Sequence, residues 1–203
     1  HILIGGIAAC PIAAQALDIK MPSNAKLVAE TVENSDSYNI PTGSWDGNGV
    51  NTIASEGRIA KQAWRVNSEK MTTLELLDML RGQLTNNGFQ SLFECETTVC
   101  GGFDFRFALD VFPEPQMHVD LGDFRYLSAK RVTNESTEYA SLVVSRSANA
   151  GFVQMFFRKN MSELRRERYR LAVVFISIAE QKAGIVLEIF SIVGLTRKGA
   201  RQG

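Results

Sequence analysis

The chain has 203 residues, 45% of them hydrophobic, which predicts one principal globular domain with a sizeable core. Lysine plus arginine equals aspartate plus glutamate at 22 each, so no overall field draws the whole protein to nucleic acid or anionic lipid. The composition is that of ordinary globular proteins and excludes collagen-like, disordered and multi-span membrane classes.

Residues 1–16 read as the remnant of a secretory signal peptide. An uncharged apolar run from Ile2 to Ile12 is followed by small residues up to Ala16, which predict cleavage before Leu17. Two alternatives stay open. Cys10 could be the acylated cysteine of a lipoprotein signal, or the run could be an apolar strand or helix of the mature protein. The signal interpretation predicts an exported protein.

Two strands and a long loop are predicted next. Partial alternation of apolar and polar residues around Lys26 to Val32 predicts a strand, and Glu56 to Val66 predicts a second. The segment Asn34–Asn51 is dense in Ser, Asn, Asp, Gly and Pro, which predicts a surface loop able to contact a partner. Tyr38 and Trp45 are its candidate binding residues, although a ring packed on the core edge is the favoured interpretation of Trp45.

The principal helix is predicted over residues 73–86, where leucines recur at helical spacing. A threonine precedes them as N-cap, and Asn87 with Gly88 gives the C-terminal stop. Gly82 lies inside this helix, where glycine weakens helix formation by about 1 kcal/mol relative to alanine. We therefore expect close packing of the helix on the sheet at Gly82.

Cys95 and Cys100 are predicted to form a disulfide. Four residues separate the two thiols and two glycines follow, which suits a tight turn. A zinc site is an alternative that would need further ligands, and a reduced redox pair usually has two residues between its cysteines. The turn would join strands at Phe89–Cys95 and Gly102–Leu109. In the second strand, Phe103, Phe105 and Phe107 would share one face.

Three further strands are predicted at Met117–Val132, with a turn near Gly122, and at Tyr139–Ser147 and Phe152–Phe157. A hairpin signal at residues 149–151 joins the last two. Strands, one helix and then a run of strands predict an α+β fold, a two-layer sandwich of a mainly antiparallel sheet with one principal helix.

The C-terminal part has a different character. Leu171–Gly194 is apolar and long enough to span a membrane, but it contains Glu180, Lys182 and Glu188, whose charges are costly inside a bilayer. Two buried strands or a core helix are therefore favoured. The predicted domains are the signal remnant over 1–16, an α+β domain over 17–157, and a basic linker with this apolar segment over 158–203.

The chain from about residue 17 to 155 resembles the N-terminal periplasmic domain of alphaproteobacterial proteins of the outer membrane protein A (OmpA) family. The motifs that carry the resemblance are AWR at 63–65, TL at 73–74, Cys95 with CGGFDFRF at 100–107, VDLGDFRYLSA at 119–129 and VSRSANAGFVQ at 144–154. The resemblance implies an exported protein whose later domain grips peptidoglycan and tethers the outer membrane to the wall. No such peptidoglycan-binding segment is recognised between Phe156 and Gly203, so peptidoglycan binding is assigned to no residue.

Two groups of side chains could form a metal site or a catalytic site. His118, Asp120 and Asp123 could ligate a metal, but a turn in which Asp123 caps backbone amides and Asp120 pairs with Arg125 is favoured. Paired carboxylates for hydrolysis could be drawn from Asp104 with Asp110 or Glu114, although sequence spacing does not fix their separation.

We therefore expect a non-catalytic, periplasmic cell-envelope interaction module, possible association with the outer membrane, and no cofactor. The expected partner is an envelope protein or cell-wall component, and no nucleic acid. Alternatives are an accessory subunit of a membrane complex held through residues 171–194, and a carboxylate-dependent hydrolase.

Overall fold

The structure is a computed structural model that describes residues 19–134 and 136–161, without the side chains of residues 35 and 159–161. The predicted signal remnant and the segment 171–194 lie outside these residues. The elements, in chain order, are β1 Ala25–Trp45, β2 Val50–Val66, α1 Thr73–Asn86, β3 Gln90–Glu96, α2 Thr97–Cys100, α3 Gly102–Ala108, β4 Phe124–Val132, β5 Ser136–Arg146 and β6 Gly151–Met161.

The described strands form a six-stranded sheet with the order β1-β2-β6-β5-β4-β3, in which every neighbouring pair is antiparallel. This confirms the sheet-dominated class. Five of the predicted strands lie inside β1, β2, β3, β5 and β6 or overlap them almost completely. In the sixth, Met117–Val132, only the part from Phe124 onward is strand, because a turn at Asp120–Asp123 separates it from the residues before.

The predicted loop Asn34–Asn51 is wrong, because most of it belongs to a β-hairpin. The β1–β2 ladder continues past an irregularity at Glu33–Asp36 and runs on from Tyr38 opposite Ser55 to Trp45 opposite Val50. The turn closes where Asp46 accepts the amides of Asn48 and Gly49 at 2.8 and 3.0 Å. Polar residues are tolerated here because only alternate side chains of a strand need to face a core. We call residues 36–56 the hairpin arm.

Helix α1 has the predicted bounds and a capping box at its start. The Thr72 hydroxyl accepts the amide of Glu75 at 3.1 Å, and the Glu75 carboxylate accepts the amide of Thr72 at 2.8 Å. Its buried leucines pack on one face of the sheet, in a cluster with Leu127, Leu142 and other strand residues. The expectation of close packing at Gly82 is wrong, since a Cβ there would have no neighbour within 4 Å.

The sheet is covered on its second face as well, so the two-layer sandwich does not describe the fold. A separate core cluster joins α2, α3 and the segment after them to this face through Cys100, Phe105, Leu109 and Met117. Strand β5 is accordingly buried at nearly every position rather than at alternate ones. In the described part of the chain, an antiparallel sheet carries a long helix on one face and two short helices on the other.

The predicted strand Gly102–Leu109 is wrong, because residues 102–108 form helix α3. Gly101 and Gly102 both have positive φ, 108° and 58°, a conformation that glycine adopts without steric cost and that turns the chain sharply from α2 into α3. The alternation of phenylalanines predicted a strand. In a helix, the same spacing places Phe103 and Phe107 on one side and Phe105 on the other.

Candidate interaction surface

The predicted disulfide between Cys95 and Cys100 is present, and it fixes α2 against the end of β3. The two cysteines are 5% and 0% exposed, and their Cα atoms are 5.1 Å apart. The Thr97 hydroxyl also donates to the carbonyl of Phe124 at 3.0 Å and accepts the Phe124 amide at 2.8 Å, which ties the start of α2 to β4. The turn into α3 is therefore held covalently and by buried hydrogen bonds.

The three phenylalanines of α3 have different environments. Phe105 is fully buried and contacts Tyr126 edge-on, with ring centroids 5.2 Å apart. Phe103 and Phe107 are 55% and 74% exposed, and their rings lie against each other with centroids 4.7 Å apart. Val99 on α2 is 58% exposed. We call Val99, Phe103 and Phe107 together the α2–α3 surface, and Phe105 is the residue that anchors it to the core.

The end of the hairpin arm supports this surface. The Ser44 hydroxyl donates to the carbonyl of Val99 at 2.6 Å. A Cβ placed on Gly101 would lie 2.6 Å from the Cβ of Trp45, so the backbone of the α2–α3 turn lies directly against that tryptophan. The arm thus folds over the second face of the sheet and packs on the turn, which predicts that the α2–α3 surface is rigid.

The middle of the arm is held by two tyrosines. The Tyr38 ring stacks on Phe156 of β6 with centroids 3.7 Å apart, and the buried Tyr126 hydroxyl donates to the carbonyl of Pro41 at 3.2 Å. Burial raises the pKa of Tyr38 to about 12, against a smaller lowering by a hydrogen bond with Ser141. Burial also raises the pKa of Tyr126 well above 10. Both hydroxyls therefore stay neutral at physiological pH.

Tyr38 and Trp45, the predicted binding residues, are consequently parts of a packed hairpin rather than of a free loop. Trp45 is half-buried against the second core cluster, as the core-edge interpretation predicted. Their role in binding a partner stays a prediction. The apolar side chains that are exposed in this region belong instead to α2 and α3.

His118, Asp120 and Asp123 each have a structural partner. His118 Nδ1 lies 2.7 Å from a Glu114 carboxylate oxygen. Asp120 accepts the Gly122 amide at 2.7 Å and so caps the turn. The Asp123 carboxylate accepts hydrogen bonds from the Arg146 guanidinium at 2.6 Å and from the Thr73 hydroxyl at 2.7 Å. The predicted roles of the two aspartates are therefore exchanged, because the turn brings Asp123 to α1 and β5. Within residues 19–134 and 136–161, no group of three such side chains could hold a metal ion.

The carboxylates proposed for hydrolysis also have different settings. Asp110 binds Lys61, with both oxygens 2.9 Å from Nζ, and Glu114 contacts His118. Asp104 is exposed on the first turn of α3. Lys61 lies 4.6 Å above the Phe112 ring, and the Phe112 amide donates to Gln154 at 2.8 Å. These contacts fasten the segment after α3 to the sheet, which is a structural role for Asp110.

The sequence-based prediction did not identify the α2–α3 surface, because it did not single out Val99 and assigned the three phenylalanines to a strand. It placed all three phenylalanine rings on one face of a strand, whereas only Phe103 and Phe107 share a face. The two glycines after Cys100 correctly indicated a turn, but a turn can lead into a strand or a helix, so they did not identify α3.

No helix in the described part of the chain is long and apolar enough to cross a membrane. No protein-family model and no curated protein matches the chain. A solved structure to which it is similar is that of LpqN, involved in cell envelope biogenesis of Mycobacterium tuberculosis, at 17% identity over 77% of this chain and 78% of that one. The TM-score is 0.34, a value that carries no inference about function.

Proposed function

We propose that this chain is a non-catalytic interaction module of the cell envelope, exported to the periplasm, that docks a partner protein through the α2–α3 surface. The observation that carries the proposal is the pair of exposed, mutually packed rings of Phe103 and Phe107 beside the exposed Val99. Clustered, exposed aromatic side chains on a rigid support are typical of the centres of protein interfaces.

The support for the surface favours recognition without rearrangement. Three contacts hold the two short helices: the Cys95–Cys100 disulfide, the buried ring of Phe105 and the close approach of Trp45 to Gly101. A surface that is already ordered loses little conformational entropy when it binds. Stable docking is therefore possible with a small number of apolar side chains.

A protein partner fits this surface better than an anionic membrane does. Interfacial helices that bind anionic lipid carry several lysines or arginines beside their apolar face. Helix α3 carries one acidic and one basic residue, Asp104 and Arg106. Burial lowers the pKa of the half-buried Arg106, and the negative charge of Glu114 opposes part of that lowering. Helices α2 and α3 thus carry one basic residue between them, not the basic cluster of a helix that binds anionic lipid.

The periplasmic setting is supported by the signal-like residues 1–16 and by the disulfide, since disulfides persist in oxidising compartments such as the periplasm. The resemblance to the N-terminal part of OmpA-family proteins supports the same setting. On this proposal the chain serves as the part of an envelope protein that meets another envelope protein.

The test compares the Phe103→Ser/Phe107→Ser variant with the unaltered chain in co-purification from gently solubilised envelopes. We expect a defined partner to co-purify with the unaltered chain and to be lost with the variant. Val132→Ser is the matched control, because Val132 is also an exposed apolar residue, at 67%, and lies on β4. Equal recovery of the partner with the double variant would overturn the proposal.

A further inference from the structure

Within the part of the chain that the structure describes, the outer edge of β1 pairs with no further strand, and its aliphatic side chains are exposed. In the described sheet β1 is the terminal strand, and it pairs with β2 alone between Lys26 and Glu33. All of these residues except Ala29 are exposed. Leu27, Val28 and Val32 are 37%, 37% and 43% exposed. Such an edge presents unpaired backbone amides and carbonyls together with apolar side chains, and is a template for another strand.

A bulge sets which side chains of this edge share a face. Leu27 lies opposite Trp64, and Val32 lies opposite Ala60, four residues earlier in β2. Trp64 and Ala60 point to the same face because side chains alternate along a strand. Leu27 and Val32 therefore share a face although they are five residues apart, since the irregularity between Leu27 and Ala29 takes up Val28 as an extra residue.

The two charged residues at the ends of this stretch share the opposite face. Lys26 lies opposite Arg65 and Glu33 lies opposite Ile59, six residues earlier in β2. The edge thus has a basic residue at one end, an acidic residue at the other on the same face, and an aliphatic residue next to each on the other face. In a second copy of the strand running in the opposite direction, the acidic residue therefore lies opposite the basic one and the two aliphatic residues lie opposite each other.

We infer that β1 pairs antiparallel with β1 of a second copy of this chain, in the register that puts Lys26 opposite Glu33 and Leu27 opposite Val32. Directly opposite residues in an antiparallel pair of strands lie on the same face. The bulge meets this condition for both pairs, because it puts Lys26 and Glu33 on one face and Leu27 and Val32 on the other. A two-fold axis makes each contact twice, so the interface has two Lys26–Glu33 ion pairs and two Leu27–Val32 contacts. The two sheets then form one continuous sheet.

The same register contains an unfavourable contact at its centre. Glu30 meets Glu30 of the second copy at the two-fold axis, and like charges directly opposite each other destabilise a pair of strands. Gln62 donates to the Glu30 carboxylate at 2.6 Å and so partly satisfies it. We therefore expect a reversible dimer rather than a permanent one. This interface is separate from the α2–α3 surface, so neither proposal depends on the other.

The test measures the dimer dissociation constant of the full chain by sedimentation velocity over a concentration series. We expect Lys26→Glu and Glu33→Lys each to weaken the dimer by about tenfold, because each change places like charges opposite at two sites. The double variant exchanges the charges and is expected to restore the affinity of the unaltered chain. Glu30→Gln is expected to strengthen the dimer.

The matched control is Lys70→Glu, a charge reversal at an exposed residue between β2 and α1, which is expected to leave the constant unchanged. Circular dichroism establishes that each variant is folded. A chain that stays monomeric at every concentration would overturn the inference. A dimer unaffected by both single reversals, or a double variant that stays as weak as the single ones, would overturn it as well.

Discussion

Gly101 and Trp45 lie so close that a Cβ on the glycine would be 2.6 Å from the Cβ of the tryptophan. The two residues belong to parts of the chain that are far apart in sequence, the disulfide-bonded turn and the end of the hairpin arm. Gly101 also has a φ of +108°, which disfavours any side chain there. One residue thus satisfies two constraints, a backbone conformation and a close approach.

Gly101→Ala is expected to lower the free energy of unfolding by about 2 to 4 kcal/mol, from backbone strain together with overpacking against Trp45. Gly82→Ala is the control of opposite sign. It lies on the exposed side of α1 with no atom within 4 Å of an added Cβ, so we expect a gain of about 0.5 to 1 kcal/mol. Urea unfolding followed by circular dichroism measures both. A Gly101→Ala variant as stable as the unaltered chain would contradict the packing described.

Tyrosine ionisation is expected to report on the hairpin arm. Burial raises the pKa of Tyr38 to about 12 and raises the pKa of Tyr126 well above its ordinary value of 10. The folded-state pKa values of both tyrosines lie above the unfolded value. Their neutral hydroxyls therefore stabilise the folded chain fully below about pH 10, and this stabilisation is lost as pH rises above it. Ultraviolet titration should show that Tyr38 and Tyr126 ionise late. Four tyrosines titrating together near pH 10 in the folded chain would contradict this.

The hydroxyl of Tyr126 itself can be tested separately. Tyr126→Phe removes the hydrogen bond to the carbonyl of Pro41 and keeps the ring contact with Phe105. We expect a loss of about 1 kcal/mol in unfolding free energy, with more for Tyr126→Ala because a cavity is added. Chemical denaturation of the two variants, compared with the unaltered chain, gives the difference.

The capping box at the start of α1 is expected to make stability sensitive to acid. Hydrogen bonds from the Thr72 backbone and side chain lower the pKa of Glu75 from its ordinary value of 4.5. The ionised Glu75 carboxylate therefore stabilises the folded chain fully above its ordinary pKa of 4.5, and this stabilisation is lost as pH falls through the lowered pKa. Glu75→Gln should flatten the decline of melting temperature below about pH 5. The isosteric control Glu69→Gln lies in the preceding loop and should leave the decline unchanged.

The disulfide links stability to the proposed docking surface. Cys95→Ser/Cys100→Ser opens a loop with a sequence separation of only 5, so we expect the loss of unfolding free energy to stay at about 2 kcal/mol. The chain should remain folded, while protection of the amides of α2 and α3 from hydrogen exchange falls selectively. Unchanged protection there would mean that the disulfide does not order this surface.

Local patterns in the sequence predicted helix α1 and most strands, because their hydrophobic periodicity and capping residues act within a few neighbours. The hairpin arm was missed for a different reason. Its polar residues are typical of a loop. The arm is held in place as a hairpin by contacts of Tyr38 with Phe156 and of Trp45 with Gly101. Those contacts join distant parts of the chain, and no local pattern contains them.

The α2–α3 surface shows the same limit. The disulfide could be predicted from cysteine spacing, but a period of two in Phe103, Phe105 and Phe107 suits a strand as well as a helix with one buried ring. Tertiary packing decides between them, since Phe105 fills the core between Phe93, Phe124 and Tyr126. The exposure of the other two rings follows from that choice.

The most direct test of the docking proposal places a photo-activated cross-linking amino acid at position 107 of the full chain in cells. We predict one discrete protein adduct, abolished by Phe103→Ser and absent when the cross-linker replaces the exposed Lys70. An adduct of equal yield at position 70, adducts with lipid only, or no adduct at position 107 would contradict the account.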